Sequence, residues 1–78
     1  MHEVTVMSRE GCHACDDAIA DVRRICDELG VPWSVSDVDA DSELRAEYGD
    51  QVPVILIDGV EHGFWKVEEE RLRRALRN

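Results

Sequence analysis

Two cysteines three positions apart, Cys12 and Cys15, are the residues of this sequence best suited to chemistry. A Cys-x-x-Cys pair at the start of a helix can pass reversibly between a dithiol and a disulfide. Unpaired N–H groups and the helix dipole stabilise a thiolate there, and the thiolate is the form of cysteine that attacks disulfides. The second cysteine lies one helical turn further on, where it can resolve a mixed disulfide. The pattern therefore predicts thiol–disulfide exchange, with Cys12 as the nucleophile and Cys15 as the resolving cysteine.

A metal site is the alternative interpretation of the same residue types. Zinc and copper sites also use Cys-x-x-Cys, and His13 and His62 could add imidazole ligands to Cys12 and Cys15. Such a module would hold zinc, copper or an iron–sulfur cluster through these cysteines. We favour the redox interpretation because the sequence has no second cysteine pair. In addition, side chains at adjacent positions of a helix start, such as Cys12 and His13, point in diverging directions.

Cys26 and His13 could each take part in the chemistry of the cysteine pair, but each also has a purely structural interpretation. Cys26 lies eleven residues after Cys15 on the same predicted helix, which corresponds to roughly 16 Å of helical rise. A disulfide needs Cα atoms within ~7 Å, so we expect Cys26 to be a buried core residue. His13 is adjacent to the nucleophile, where an imidazolium would stabilise the thiolate and make the disulfide more oxidising. Alternatively, His13 is a solvated residue of the first helical turn.

The first half of the chain contains the elements that would hold the cysteine pair. A strand is predicted over 3–7, followed by a helix from Cys12 to Leu29 in which apolar residues recur at helical spacing. Gly30 is expected to end that helix as a left-handed cap. A second strand is predicted over 33–38. A strand, a helix and a strand with short links form a βαβ unit, whose strands are parallel.

The second half of the chain predicts one more helix, a strand hairpin and a final helix. The predicted elements are a short helix over 42–48, a buried strand over 52–57, a strand over 61–65 and a helix over 67–77. The Asp-Gly pair at 58–59 is a strong signal for a two-residue hairpin turn. The order is βαβ, then α, then ββα, and we expect one domain over residues 1–78. Phe64 and Trp65 are expected to pack in the core under the last helix rather than to form a substrate platform.

Pro53, at the start of the buried strand, has two interpretations. It can be a strand-start residue, a position that requires no backbone donor. Alternatively, Val52 and Pro53 are joined by a cis peptide bond that lies opposite the two cysteines. Their backbone would then pair with an extended substrate as an added strand does. On the sequence alone, both interpretations stay open.

Together these motifs resemble the glutaredoxin-like branch of the thioredoxin superfamily. The similarity rests on residues 11–15 (Gly-Cys-His-Ala-Cys) and residues 52–54 (Val-Pro-Val), which precede the hairpin turn. The resemblance implies an α/β fold of the thioredoxin-like (glutaredoxin-type) class, with a four-stranded mixed sheet flanked by helices. It also implies thiol–disulfide exchange at the cysteine pair and the cis-proline. Arg9, three positions before the first cysteine, matches the basic residue with which glutaredoxins help to hold a glutathione carboxylate.

The chain departs from typical glutaredoxins at two places. His13 and Ala14 replace the Pro-Tyr pair between the cysteines. Residues 62–65 (His-Gly-Phe-Trp) replace the Gly-Gly-x-Asp stretch that caps the other glutathione carboxylate. We therefore expect glutathione to be a poor reductant. No bound cofactor is expected, and electrons would come from an external thiol reductant or a flavoprotein reductase.

Charge and hydropathy narrow the range of partners. The formal net charge of −9 argues against nucleic acid and anionic membranes, because both require a basic surface. No apolar run approaches the ~20 residues that span a bilayer, and the first residues lack the basic start of a signal peptide. We expect a cytoplasmic monomer that acts on a disulfide-containing protein or a low-molecular-weight thiol and can be reduced by a thioredoxin reductase-like enzyme.

Overall fold

The computed structural model describes residues 2–77, in which a four-stranded mixed sheet is flanked by helices. In chain order the elements are β1 (Val4–Ser8), α1 (His13–Leu29), β2 (Trp33–Asp37), a 3₁₀ turn (Val38–Ala40), α2 (Ser42–Tyr48), β3 (Val54–Ile57), β4 (Val60–Phe64) and α3 (Glu69–Arg77). This order confirms the βαβ, α, ββα arrangement expected from the sequence. The 3₁₀ turn was not predicted. No helix within the described residues is long and apolar enough to cross a membrane.

The strand order β2-β1-β3-β4 brings three segments to one end of the sheet. β1 pairs in parallel with β2, with Val4 opposite Trp33, and antiparallel with β3, with Met7 opposite Val54. β3 and β4 are also antiparallel, with Val54 opposite Phe64. The carboxyl end of β1, the amino end of β3 and the carboxyl end of β4 therefore lie side by side. We call this the upper end of the sheet.

The turn between β3 and β4 is the two-residue hairpin that the Asp-Gly pair predicts. Asp58 has a φ of 54° and Gly59 a φ of 81°, and positive φ at both central residues is what a type I′ turn requires. The Asp58 carboxylate also accepts hydrogen bonds from the His2 ring at 2.6 Å and from the Glu3 N–H at 2.9 Å. The hairpin is thus tied to the residues that lead into β1, at the end of the sheet opposite to the upper end.

The core covers both faces of the sheet. On one face, α1 and α3 bury the residues that recur at helical spacing against alternate residues of β1 and β3. On the other face, Met7, Val54 and Leu56 pack with Val38 of the 3₁₀ turn and, at its margin, with Leu44 of α2. The core cluster on the face covered by α1 and α3 comprises Val4, Val6, Ala18, Val22, Ile25, Cys26, Ile55, Leu72 and Leu76. The helix α1, which begins just after Cys12 and contains Cys15, is therefore fixed along its length against the sheet.

An ion-pair network centred on Glu69 joins α1 to α3. The Glu69 carboxylate accepts hydrogen bonds from Arg24 at 2.8 Å and from Arg73 at 2.9 Å. The bonds from Arg24 and then Arg73 lower the pKa of Glu69 to about 2. All three groups are in contact with solvent, so the contribution of the network to stability is modest.

Because of this network, we expect the free energy of unfolding to depend on pH at acidic pH values. A carboxyl whose pKa falls from 4.5 to about 2 on folding contributes stability that is present above pH 4.5 and is lost as the pH falls through about 2. We expect Glu69→Gln to weaken this dependence, as measured by urea unfolding at several pH values in that window. Glu70→Gln is the control, because no side-chain ion pair involves Glu70 among residues 2–77. Equal pH slopes for the two variants would contradict the assignment.

Candidate functional site

Cys12 is the N-cap residue of α1. Its backbone is extended (φ −94°, ψ 106°), and its Sγ accepts a hydrogen bond from the Cys15 N–H at 3.1 Å. N-cap positions favour Ser, Thr, Asp and Asn, whose oxygens satisfy the free N–H groups of the first turn. Here a sulfur takes that place, at the positive end of a 17-residue helix. A thiolate is stabilised there by both the N–H groups and the dipole.

The two cysteines of the motif differ in exposure. Cys12 is half-buried, whereas Cys15 is completely buried, and neither is in a disulfide. Burial raises the pKa of the Cys15 thiol, and its contact with Cys12 raises that pKa further. Hydrogen bonds from the Arg9 backbone and the Ser8 side chain act in the opposite direction but are smaller. Cys15 is therefore held as a thiol beside a more accessible sulfur.

The Val52–Pro53 segment lies at the same end of the sheet as the cysteines. The peptide bond between Val52 and Pro53 is cis, as the second interpretation of this proline requires, and pairing of this segment with a substrate stays a prediction. Pro53 is buried and immediately precedes Val54, the residue that pairs with Met7 near the carboxyl end of β1. The loop to Cys12 leaves β1 at that end. The topology thus brings Val52, Pro53, Cys12 and Cys15 to the upper end of the sheet.

Arg9 is bound by groups of its own chain. Its guanidinium donates hydrogen bonds to both carboxylate oxygens of Asp39, at 2.8 and 3.0 Å, and to the Gly49 carbonyl at 3.3 Å. The hydrogen bonds with Asp39 raise the pKa of Arg9 and lower that of Asp39. The sequence suggests Arg9 as an anchor for the carboxylate of a small thiol. In the structure, such a carboxylate would have to compete with Asp39.

The two histidines of the sequence-based hypotheses lie apart in the fold. His13 is the first residue of α1, adjacent to Cys12 in the chain, and its side chain is exposed. His62 lies on β4, where burial and then the charge of Arg71 lower its pKa. Within residues 2–77, no group of three or more His, Cys, Asp or Glu side chains is arranged to hold a metal ion.

Phe64 and Trp65 correct an expectation from the sequence, because they do not pack under the last helix. Phe64 is 45% and Trp65 61% exposed, and their rings meet edge to face with centroids 5.1 Å apart. β4 is an edge strand, and no further strand among residues 2–77 covers its outer side. α3 covers the sheet through Leu72 and Leu76 instead. Periodicity alone could not reveal this, because the exposure depends on the strand order.

Comparison with known proteins assigns the family. The sequence pattern of the family described as "Glutaredoxin-like domain (DUF836)" matches residues 3–77. This chain belongs to that family. The glutaredoxin-like chain is also 40% identical over 76 residues to "Uncharacterized protein Rv0508" of Mycobacterium tuberculosis, with 91% of this chain and 78% of the relative covered.

Solved structures confirm the fold expected for a glutaredoxin-like chain. The solution structure of protein Ne2328 from Nitrosomonas europaea is 25% identical and has a TM-score of 0.82, with 95% of this chain and 89% of that chain covered. Glutaredoxin 1 from Francisella tularensis is 18% identical and has a TM-score of 0.62, with 100% of both chains covered. The second similarity shows the fold alone. The thioredoxin-like, glutaredoxin-type architecture predicted from the sequence is therefore confirmed.

Proposed function

We propose that this glutaredoxin-like domain is a thiol–disulfide oxidoreductase that reduces disulfides of proteins or small molecules through Cys12 and Cys15. The observation that carries the proposal is the position of the Cys12 sulfur. It caps the first turn of α1, accepts the Cys15 N–H at 3.1 Å and remains partly accessible to a partner. A sulfur in this environment is stabilised as the attacking thiolate.

The proposed reaction transfers two electrons from the dithiol to the substrate. The Cys12 thiolate attacks one sulfur of the substrate disulfide, a new S–S bond forms, and the substrate S–S bond breaks. The departing substrate thiolate takes a proton from water. Cys15 then loses its proton and attacks the Cys12 Sγ, which releases the second substrate thiol and leaves a Cys12–Cys15 disulfide. An external thiol or a flavoprotein reductase then reduces this disulfide.

The electrostatics of Cys15 support this order of events. Burial, and then its hydrogen bond with Cys12, raise the pKa of Cys15, so the buried sulfur keeps its proton while the more accessible Cys12 sulfur meets the substrate. Once Cys12 is part of a mixed disulfide it carries no negative charge, so its charge no longer raises the pKa of Cys15, whereas burial still does. Cys15 then deprotonates more readily, at the step in which it must attack.

The neighbouring segments support roles in binding and in tuning. An extended substrate segment is expected to pair with the backbone at Val52, beside Pro53, as an added strand would. We also propose that His13, which is adjacent to Cys12 in the chain and exposed, adjusts the stability of the thiolate when its imidazole is protonated. The substrates in this proposal are disulfide-containing proteins and low-molecular-weight disulfides.

Oxidation of the protein tests the proposal. We expect two thiols per chain to be lost, with a disulfide between Cys12 and Cys15 and with Cys26 unmodified, because Cys26 is buried in the core and burial raises its pKa. Thiol titration and mass mapping after oxidation measure this, with an alkylation step under denaturing conditions to detect Cys26. Catalysed reduction of hydroxyethyl disulfide should accompany it. A bridge that includes Cys26, or a dithiol that reduces no disulfide, would refute the proposal.

A further inference from the structure

Trp65 has a backbone conformation and an exposure that core packing does not explain. Its φ is 71°, in the left-handed region, where a bulky residue is a genuine outlier and where such strain clusters at functional sites. A glycine would adopt this conformation without strain. Trp65 is nevertheless 61% exposed, so burial of its side chain does not offset the cost of the backbone conformation.

The position of Trp65 links it to the proposed substrate segment. The Trp65 N–H donates a hydrogen bond to the Pro53 carbonyl at 2.8 Å. The preceding residue, Phe64, pairs with Val54, which in turn pairs with Met7 of the central strand. Trp65 therefore lies at the upper end of the sheet, beside Pro53 and at the same end as the loop to Cys12.

The two aromatic rings form one surface beside a groove. The Phe64 and Trp65 rings meet at 5.1 Å in an edge-to-face arrangement, and the groove next to them has a volume of about 570 Å³. The charged side chains along it are of both signs, so they largely compensate one another. They are Glu61, Lys66, Glu68 and Arg71. What distinguishes this surface is the exposed aromatic pair, which we call the aromatic platform.

We propose that the aromatic platform, Phe64 and Trp65, binds a large apolar side chain in the extended protein segment that carries the disulfide. This inference rests on the proposed function and names its substrate class, a protein disulfide flanked by an apolar residue. Pairing at Val52 would hold the backbone of that segment near Pro53, and the platform lies next to it. The net charge of −9 additionally favours substrate proteins with a basic surface.

The area of the platform favours a transient substrate over a second copy of this chain. At the exposures of 45% and 61%, two aromatic side chains of ordinary size present together about 200 Å². A stable protein interface buries about 800 Å² on each partner. The platform therefore suits a segment that binds, exchanges its disulfide and leaves.

Reduction of matched peptide disulfides tests the inference. The two peptides differ at one residue next to the cysteine, which is Phe in one and Ser in the other, and hydroxyethyl disulfide serves as a substrate without flanking residues. We expect the native protein to reduce the Phe peptide with a kcat/KM about tenfold higher than the Ser peptide, equivalent to about 1.4 kcal/mol. Trp65→Gly should bring this ratio close to one. Glycine removes the ring and also relieves the backbone, so the variant should fold.

Two further variants complete the experiment. Trp65→Phe retains an aromatic ring and should retain most of the preference, whereas Val60→Ala removes an exposed apolar residue at the other end of β4 and should leave the ratio unchanged. If the native protein reduces hydroxyethyl disulfide but shows no preference for the Phe peptide, or if Trp65→Gly keeps the preference, only this inference is overturned. If the native protein reduces none of the three disulfides, the proposed function itself fails.

Discussion

Replacing Cys12 by serine should abolish disulfide reduction, whereas replacing Cys15 by serine should give a protein that accumulates mixed disulfides with its substrates. The two outcomes differ because, in the proposed mechanism, only the thiolate at the N-cap of α1 starts the exchange and only the buried sulfur resolves it. A serine hydroxyl remains protonated at neutral pH and does not displace a thiolate from a disulfide. We therefore expect the rate of Cys12→Ser to fall to the uncatalysed background.

The loss in Cys12→Ser is expected to be chemical and not structural. Serine is among the preferred N-cap residues, so its oxygen can accept the Cys15 N–H in place of the sulfur that accepts it now. The unfolding midpoint of Cys12→Ser should therefore equal or exceed that of the native protein. Cys26→Ala is the control for the loss of a cysteine as such, because Cys26 lies in the core and should not be needed for turnover.

Mass spectrometry distinguishes the roles of the two cysteines directly. After incubation with a peptide disulfide, Cys15→Ser should carry one covalently bound peptide that a reductant removes, and Cys12→Ser should carry none. The pair geometry supports this difference, since Cys12 is partly accessible and Cys15 is completely buried. Adducts on Cys12→Ser together with an inert Cys15→Ser would show that the roles are reversed.

Local patterns predicted most of the fold. Apolar spacing and Gly30 predict α1 and its end, and the structure has Gly30 at a φ of 70° with its N–H bonded to the Cys26 carbonyl. Asp58 and Gly59 predict the hairpin turn because that turn requires positive φ at both residues. In each case the signal lies within the few residues that form the feature. The resemblance to glutaredoxins then supplied the four-stranded mixed sheet, which no local pattern determines.

The features that the sequence did not reveal depend on contacts between distant residues. Arg9 and Asp39 are thirty positions apart, and they meet because the 3₁₀ turn after β2 brings Asp39 next to the loop that follows β1. The alternating aspartates over 37–41 were a signal of an unusual turn, but they do not indicate which cation they face. The exposure of Phe64 and Trp65 likewise depends on β4 being an edge strand.

We expect glutathione to be a poor reductant of this protein, because Asp39 already binds the Arg9 guanidinium. A glutathione carboxylate that approached Arg9 would have to displace a two-point ion pair and a hydrogen bond to the Gly49 carbonyl. At the other side of the site, residues 62–65 (His-Gly-Phe-Trp) provide no Asp-containing loop for the second carboxylate. Losing one charged anchor costs about 1.5–3 kcal/mol, which corresponds to roughly ten- to a hundredfold in affinity.

Steady-state reduction of hydroxyethyl disulfide with each electron source measures this preference. We expect turnover with a flavoprotein reductase of the thioredoxin reductase type, or with another thiol, to exceed turnover with glutathione by at least about tenfold, the value of one charged anchor. Asp39→Asn should raise the rate with glutathione by up to a similar factor, because it frees the Arg9 guanidinium. Asp50→Asn is the matched control, since Asp50 acts on Arg9 through its charge without being bonded to it.

If the native protein turned over with glutathione as fast as a typical glutaredoxin, and Arg9→Ala abolished that turnover, Arg9 would be a working glutathione anchor despite its contact with Asp39. The preference for a flavoprotein reductase would then be wrong.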